Sequence, residues 1–257
     1  MSGARRTRRR EPPGGPVERE AQAILADAGR SIARLAAHAA RAVAAAAESV
    51  VASLEEGGTV YFCGNGGSAA DAQHLATELA GRYLMDRPPL AAVALTTNTS
   101  ALTAIGNDYG FDRIFARQLE GLGSPGDVLV AITTSGRSTN VLRAVETARA
   151  HGMVVIGMTG RAGRRFAARC DHALVTPSDS TPRIQEGHIA MGHALCELVE
   201  RSLFGRNRAR PPGARPRRTR RAAGGRGTRP ATGRRGTRLR VGKRGTRLQV
   251  GRRVRPR

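Results

Sequence analysis

Acidic side chains are missing from the last 52 residues of this 257-residue chain, and lysine from all of it except Lys243. Cysteine occurs three times, at Cys63, Cys170 and Cys196. Thiols so few and so scattered exclude a disulfide framework or a zinc knuckle, and their apolar neighbours mark them as buried. Buried reduced thiols fit a reducing compartment, so a soluble cytoplasmic protein is expected. No apolar run approaches the roughly 18–20 residues needed to span a bilayer. Nor does an unbroken hydrophobic core follow the Arg-rich N-terminus, as a secretory signal requires. No membrane partner is expected.

The net charge of +23 belongs to the ends of the chain. Residues 206–257 carry +21, residues 1–20 carry +3, and residues 21–205 carry −1. The middle therefore has the near-neutral balance of an ordinary globular body. Residues 1–17 mix Arg, Pro and Gly without periodicity and should be disordered. From position 224 the tail repeats every nine residues, as GGRGTRPAT, GRRGTRLRV and GKRGTRLQV. Rich in Gly and Arg and poor in large apolar groups, it should not fold alone. An arm neutralising nucleic-acid phosphates is one reading of such a tail. A GC-rich translation artefact or a lineage-specific appendage is the stronger one.

Between these ends, helical and strand patterns alternate. Residues 18–56 are Ala-rich with apolar positions at helical spacing, giving one long helix or two in tandem that Gly57 and Gly58 end. Strand-like runs occupy 59–63, 91–96, 127–133, 153–159 and 172–176. Helical stretches fill 68–83, 99–105, 112–122 and 138–151, with a short turn at 164–169 and a last helix over 182–204. The pattern is that of βαβ units, an α/β fold with a doubly wound parallel sheet spanning residues 18–205.

Three segments carry chemistry. In CGNGGS, a strand ending at Cys63 enters a glycine-rich turn (Gly64, Asn65, Gly66, Gly67, Ser68) that opens a helix, an arrangement that presents amides to an anion. His74 and Glu78 follow on that helix, four apart and so on one face. The second segment, TTSGRS, offers Thr133, Thr134, Ser135 and Ser138 ahead of another helix. Four hydroxyls in six residues exceed what capping needs and favour phosphate, although Ser138 would also make a good cap. The third lies on the last helix, where Gln185 and His193 are about two turns apart on one face and His188 turns partly away. His74, Glu78, Gln185 and His193 suit a divalent metal such as zinc, and Glu78 and His193 equally suit metal-free acid/base work. Asn107 and Asp108 read as a helix cap and turn.

The stretches CGNGGSAADAQHLATELAGRY, LTTNTSALTAIGNDYGFDRIF, GDVLVAITTSGRSTNVLRA and TPRIQEGHIAMGHALCELVE resemble the phosphoheptose isomerases of the sugar isomerase (SIS) domain family. The resemblance covers residues 20–204 and implies a five-stranded parallel sheet and a homotetramer with active sites at subunit interfaces. It also implies conversion of sedoheptulose 7-phosphate to D-glycero-D-manno-heptose 7-phosphate. By the same resemblance, Asn65, Gly66, Gly67, Ser68, Glu78, Asn107, Asp108, Thr133, Thr134, Ser135, Ser138 and Gln185 contact the sugar phosphate. His74, Glu78, Gln185 and His193 hold one zinc ion per subunit, and Glu78 and His193 transfer protons. Asn98, Arg137 and Thr133 depart from many relatives, which carry Asp, Asn and Ser there. The wider family leaves two other functions open, a non-catalytic protein that binds the bacterial replication initiator and a sugar-phosphate sensor. The full set of four candidate ligands argues against the first, and the absence of a helix-turn-helix segment against the second.

Overall fold

The computed structural model describes residues 15–205; the segment before it and the basic tail, with the expectations made for them, lie outside the described residues. Helix α1 (Pro16–Glu55) is a single rod of 40 residues. It begins inside the segment 1–17 expected to be disordered, because Pro16 sits in the first turn, where its missing N–H is no loss. Gly29 does not divide it, since no atom crowds that position and one exposed glycine costs only about 1 kcal/mol. Gly57, with φ +85°, ends it.

One expectation needs correction here. By length and composition α1 is apolar enough to cross a membrane. Alanine rather than large aliphatic residues makes it so. The inward stripe of Leu35, Ala39, Val43, Ala46 and Val50 is buried in the core of the domain. The first half of the helix is exposed and carries Val17, Ile24 and Leu25 into solvent.

Five strands follow, β1 (Val60–Gly64), β2 (Ala92–Ala94), β3 (Val128–Ile132), β4 (Val154–Gly160) and β5 (His172–Thr176). All pair in parallel in the order β2-β1-β3-β4-β5. The connecting helices are α2 (Gly67–Ala80), α3 (Thr99–Tyr109), α4 (Ala116–Leu122), α5 (Thr139–Ala150) and α6 (Arg164–Ala167), and α7 (Thr181–Phe204) closes the domain. Alternating strand residues feed two cores. Val60, Phe62, Val130, Ile132 and Met158 face α1, α2 and α7. Tyr61, Cys63, Leu129, Ala131 and Val155 face α4 and α5. The doubly wound α/β sheet expected from the pattern is present. Cys63 and Cys196 are buried and Cys170 is half-buried; all three thiols are free, and burial pushes each up to about 12.

Candidate active site

Strand order reverses between β1 and β3, so the chain leaves β1 toward one side of the sheet and β3 toward the other. At such a switch point two loops part and leave a crevice at the carboxyl ends of the strands. Gly64 is paired with Ile132, so loop 64–66 and loop 133–138 emerge side by side. The side-chain amides of Asn65 and Asn140 tie them together by two reciprocal hydrogen bonds of 2.8 Å. Gly66 takes φ +55°, and Gly67 lies so close to the Gln185 amide that a β-carbon there would overlap it. Ser68 is buried, and its amide donates to the Asn65 carbonyl at 3.0 Å.

In the second loop the hydroxyls of Thr133 and Ser138 are 3.1 Å apart. Ser138 occupies the N-cap position of α5 but makes no side-chain cap, contrary to the capping role its position allowed. The Thr134 carbonyl accepts from the Gly160 amide, and the Arg137 amide donates to Ser135 Oγ at 3.2 Å. Gly136, with φ +67°, packs against Gly163 and Phe166, which carries the loop close over α6. Clustered hydroxyls beside the start of a 12-residue helix make an anion-binding corner.

Helices α2 and α7 approach closely enough that a β-carbon on Gly192 would meet Leu75. That approach brings His74 Nε2 and His193 Nε2 within 2.8 Å, and along α2 itself His74 Nε2 lies 3.2 Å from Glu78 Oε1. Donor atoms of His74, Glu78 and His193 all lie within 4.8 Å of one another. Two neutral imidazoles meeting nitrogen to nitrogen need either a proton between them or a shared cation. Two nitrogens and a carboxylate oxygen are a donor set that zinc accepts. Gln185 stands two turns before His193 against Gly67, on the same side of α7.

Other expectations fare differently. Asn107 and Asp108 are not a cap but lie in the last turn of α3, exposed and bonded to each other at 2.8 Å, with Gly110 ending the helix. Among the described residues nothing links them to the two loops or to the histidines. Asn98 caps α3, accepting from the Ala101 amide at 3.0 Å. His188 is fully buried, with neither ring nitrogen partnered among the described residues. Burial drives its pKa down to about 4, the Thr159 main chain pulling weakly the other way. Two residues escaped the sequence reading. Asn140 is the partner of Asn65. Asp71 shares the helical face of His74 and Glu78, and its Oδ2 is buried with no hydrogen-bond partner among the described residues. Burial pushes its carboxyl up, and His74 offsets part of the shift.

The SIS domain model matches residues 25–160. The chain belongs to the SIS domain family. It is 63% identical over 162 residues to a phosphoheptose isomerase from Rhodospirillum rubrum, spanning 63% of this chain and 86% of that relative. The structure of a phosphoheptose isomerase from Neisseria gonorrhoeae superposes with TM-score 0.68 at 46% identity, covering 72% of this chain and 98% of the other. One from Francisella tularensis gives TM-score 0.70 at 39% identity, covering 73% and 100%. The SIS match contains both loops and α2, whereas Gln185 and His193 lie beyond it on α7. The two solved isomerases align over nearly their whole length, so the resemblance read from the motifs is borne out at the level of family and fold.

Proposed function

We propose that this protein is an aldose–ketose isomerase that converts sedoheptulose 7-phosphate to D-glycero-D-manno-heptose 7-phosphate, the opening step toward nucleotide-activated heptoses. The observation that carries this reading is the meeting of the Glu78 carboxylate with the His193 imidazole beside a doubled anion corner. The names of the relatives in the Rhodospirillum, Neisseria and Francisella comparisons support the same chemistry.

The sugar's phosphate sits among the hydroxyls of Thr133, Thr134, Ser135 and Ser138 and the amides opening α5, and Asn65, Gly66, Gly67 and Ser68 line the opposite wall. Binding energy from this remote group aligns C1 and C2 for reaction. Glu78 takes the proton from one carbon and returns it to its neighbour, through a cis-enediol. His193 moves the proton between the two oxygens, so that the C2 carbonyl becomes a hydroxyl as C1 becomes an aldehyde. Each positioned proton carrier contributes about 10²–10⁴-fold. His74, Glu78, Gln185 and His193 would hold one zinc ion per subunit, which when bound supplies Lewis acidity toward the sugar oxygens. Asn107 and Asp108 complete the site from a neighbouring subunit.

The assembly is a homotetramer in the cytoplasm with active sites at subunit interfaces. Its support is the apolar groove of about 400 Å³ between α1 and α7, lined by Leu35, Ala39, Ala194 and Leu198, together with the exposed apolar side chains of α1. The test is turnover of sedoheptulose 7-phosphate by purified protein, with and without chelator. Glu78→Gln and His193→Ala should each lower kcat at least about a hundredfold while leaving the thermal midpoint unchanged. Near-normal rates in both variants would show that the roles are assigned wrongly.

A further inference from the structure

Behind the proposed acid/base pair lies a buried ion pair that no step of the chemistry uses. Arg87 belongs to the strap joining α2 to β2, and Glu200 to the last turns of α7. Their side chains are each 1% exposed, and Arg87 Nε donates to Glu200 Oε1 at 2.9 Å. The same carboxylate accepts the amides of Tyr83 at 3.1 Å, Leu84 at 2.7 Å and Met85 at 2.9 Å. The guanidinium in turn donates to the carbonyls of Glu78 at 2.7 Å and Leu79 at 2.8 Å. These are carbonyls at the end of α2 that the helix itself leaves unpaired.

Two consequences converge on the catalytic pair. The main chain of Glu78 is fixed, through Arg87, to a carboxylate on α7. Glu200 is seven residues from His193, so the pair holds α7 two turns beyond the imidazole, on the same helical face. Tyr83, pinned by its amide to Glu200, lies against the His193 ring with centroids 5.7 Å apart and planes inclined by 28°. A buried ion pair is often replaceable by apolar residues with no loss of stability, so stability alone does not account for it. Proton carriers, by contrast, must be held within roughly 0.5 Å of productive geometry.

We infer that Arg87 and Glu200 are positioning residues that set the separation of Glu78 and His193, with Tyr83 orienting the imidazole. The inference rests on the isomerase reading and deepens it. The experiment compares the full chain with Arg87→Met/Glu200→Leu, Tyr83→Phe and Tyr83→Leu on sedoheptulose 7-phosphate, alongside thermal melts. The double variant should melt cooperatively and keep KM within about threefold, because the phosphate loops lie on other elements, while kcat falls about a hundredfold. Tyr83→Phe keeps the stack and the rate, and Tyr83→Leu loses about tenfold in kcat. A folded double variant with unchanged kcat overturns the inference, as does a rise in KM matching the fall in kcat. If the double variant does not fold, equal rates for Tyr83→Phe and Tyr83→Leu overturn it. Wild-type protein without turnover would end the isomerase reading instead. In that event the His74–His193 separation in a crystal structure of Glu200→Gln decides, since a distance still at 2.8 Å refutes positioning.

Discussion

Folding disfavours the protonation of an imidazole that it buries without a partner. His188, ordinarily near 6.5, titrates near 4 in the folded chain. Between those values the unfolded chain binds more protons, so stability is full above pH 6.5 and declines as pH falls toward 4, by roughly 3 kcal/mol at most. Urea midpoints at pH 7 and pH 5 should differ in the wild type, and the difference should shrink in His188→Leu; equal shifts in both would refute the assignment. Gly67→Ala tests a different contact. The new methyl displaces only the flexible end of Gln185, so stability should change by less than about 1 kcal/mol while turnover drops. Unaltered turnover would remove Gln185 from the site. Residues such as His74 and Glu78 were legible because their spacing alone puts them on one face. Asn140 was not, because its partner Asn65 lies 75 positions away and only strand order brings them together. Asp71 shows the opposite failure, being in register with His74 and Glu78 yet indistinguishable in sequence from a solvated helix carboxylate.

At the scale of elements, the close approach of α2 and α7 makes the site. Gly192→Leu should push the helices apart at Leu75 and destabilise the fold by about 1–3 kcal/mol, with Leu75→Ala restoring part of the loss in the double variant. A neutral Gly192→Leu would mean that the contact is slack. Strands and helices were read from the sequence nearly in place because a buried parallel sheet gives unbroken apolar runs. Errors fell where tertiary contacts override local pattern. The helix expected over 112–122 divides into a 3₁₀ turn (Phe111–Arg113) and α4, as Ile114 and Phe115 turn into the core. The strand expected over 91–96 keeps only Ala92–Ala94, the part that pairs with β1 at the sheet edge. The Arg87–Glu200 pair could not have been read at all, since it joins positions 113 apart.

For the molecule as a whole, that pair also sets acid tolerance. Burial alone would raise the Glu200 pKa, but the amides of Leu84, Tyr83 and Met85 and the Arg87 side chain hold it below its ordinary 4.5. Its contribution is therefore complete above pH 4.5 and disappears as pH falls through the lower folded value. Arg87→Met/Glu200→Leu should flatten this acid limb of a denaturation profile, and an unchanged limb would exclude the pair as its source. In the proposed tetramer the exposed face of α1 is the proposed interface: Ile24→Glu with Leu25→Glu should lower the mass measured by light scattering from four chains, and an undiminished tetramer would place the interface elsewhere. The three thiols give a practical corollary. Groups that ionise only near 12 offer almost no nucleophile at neutral pH. The native enzyme should tolerate iodoacetamide and storage in air, so a single cysteine engineered onto α1 would become its one fast-labelling position for a fluorophore.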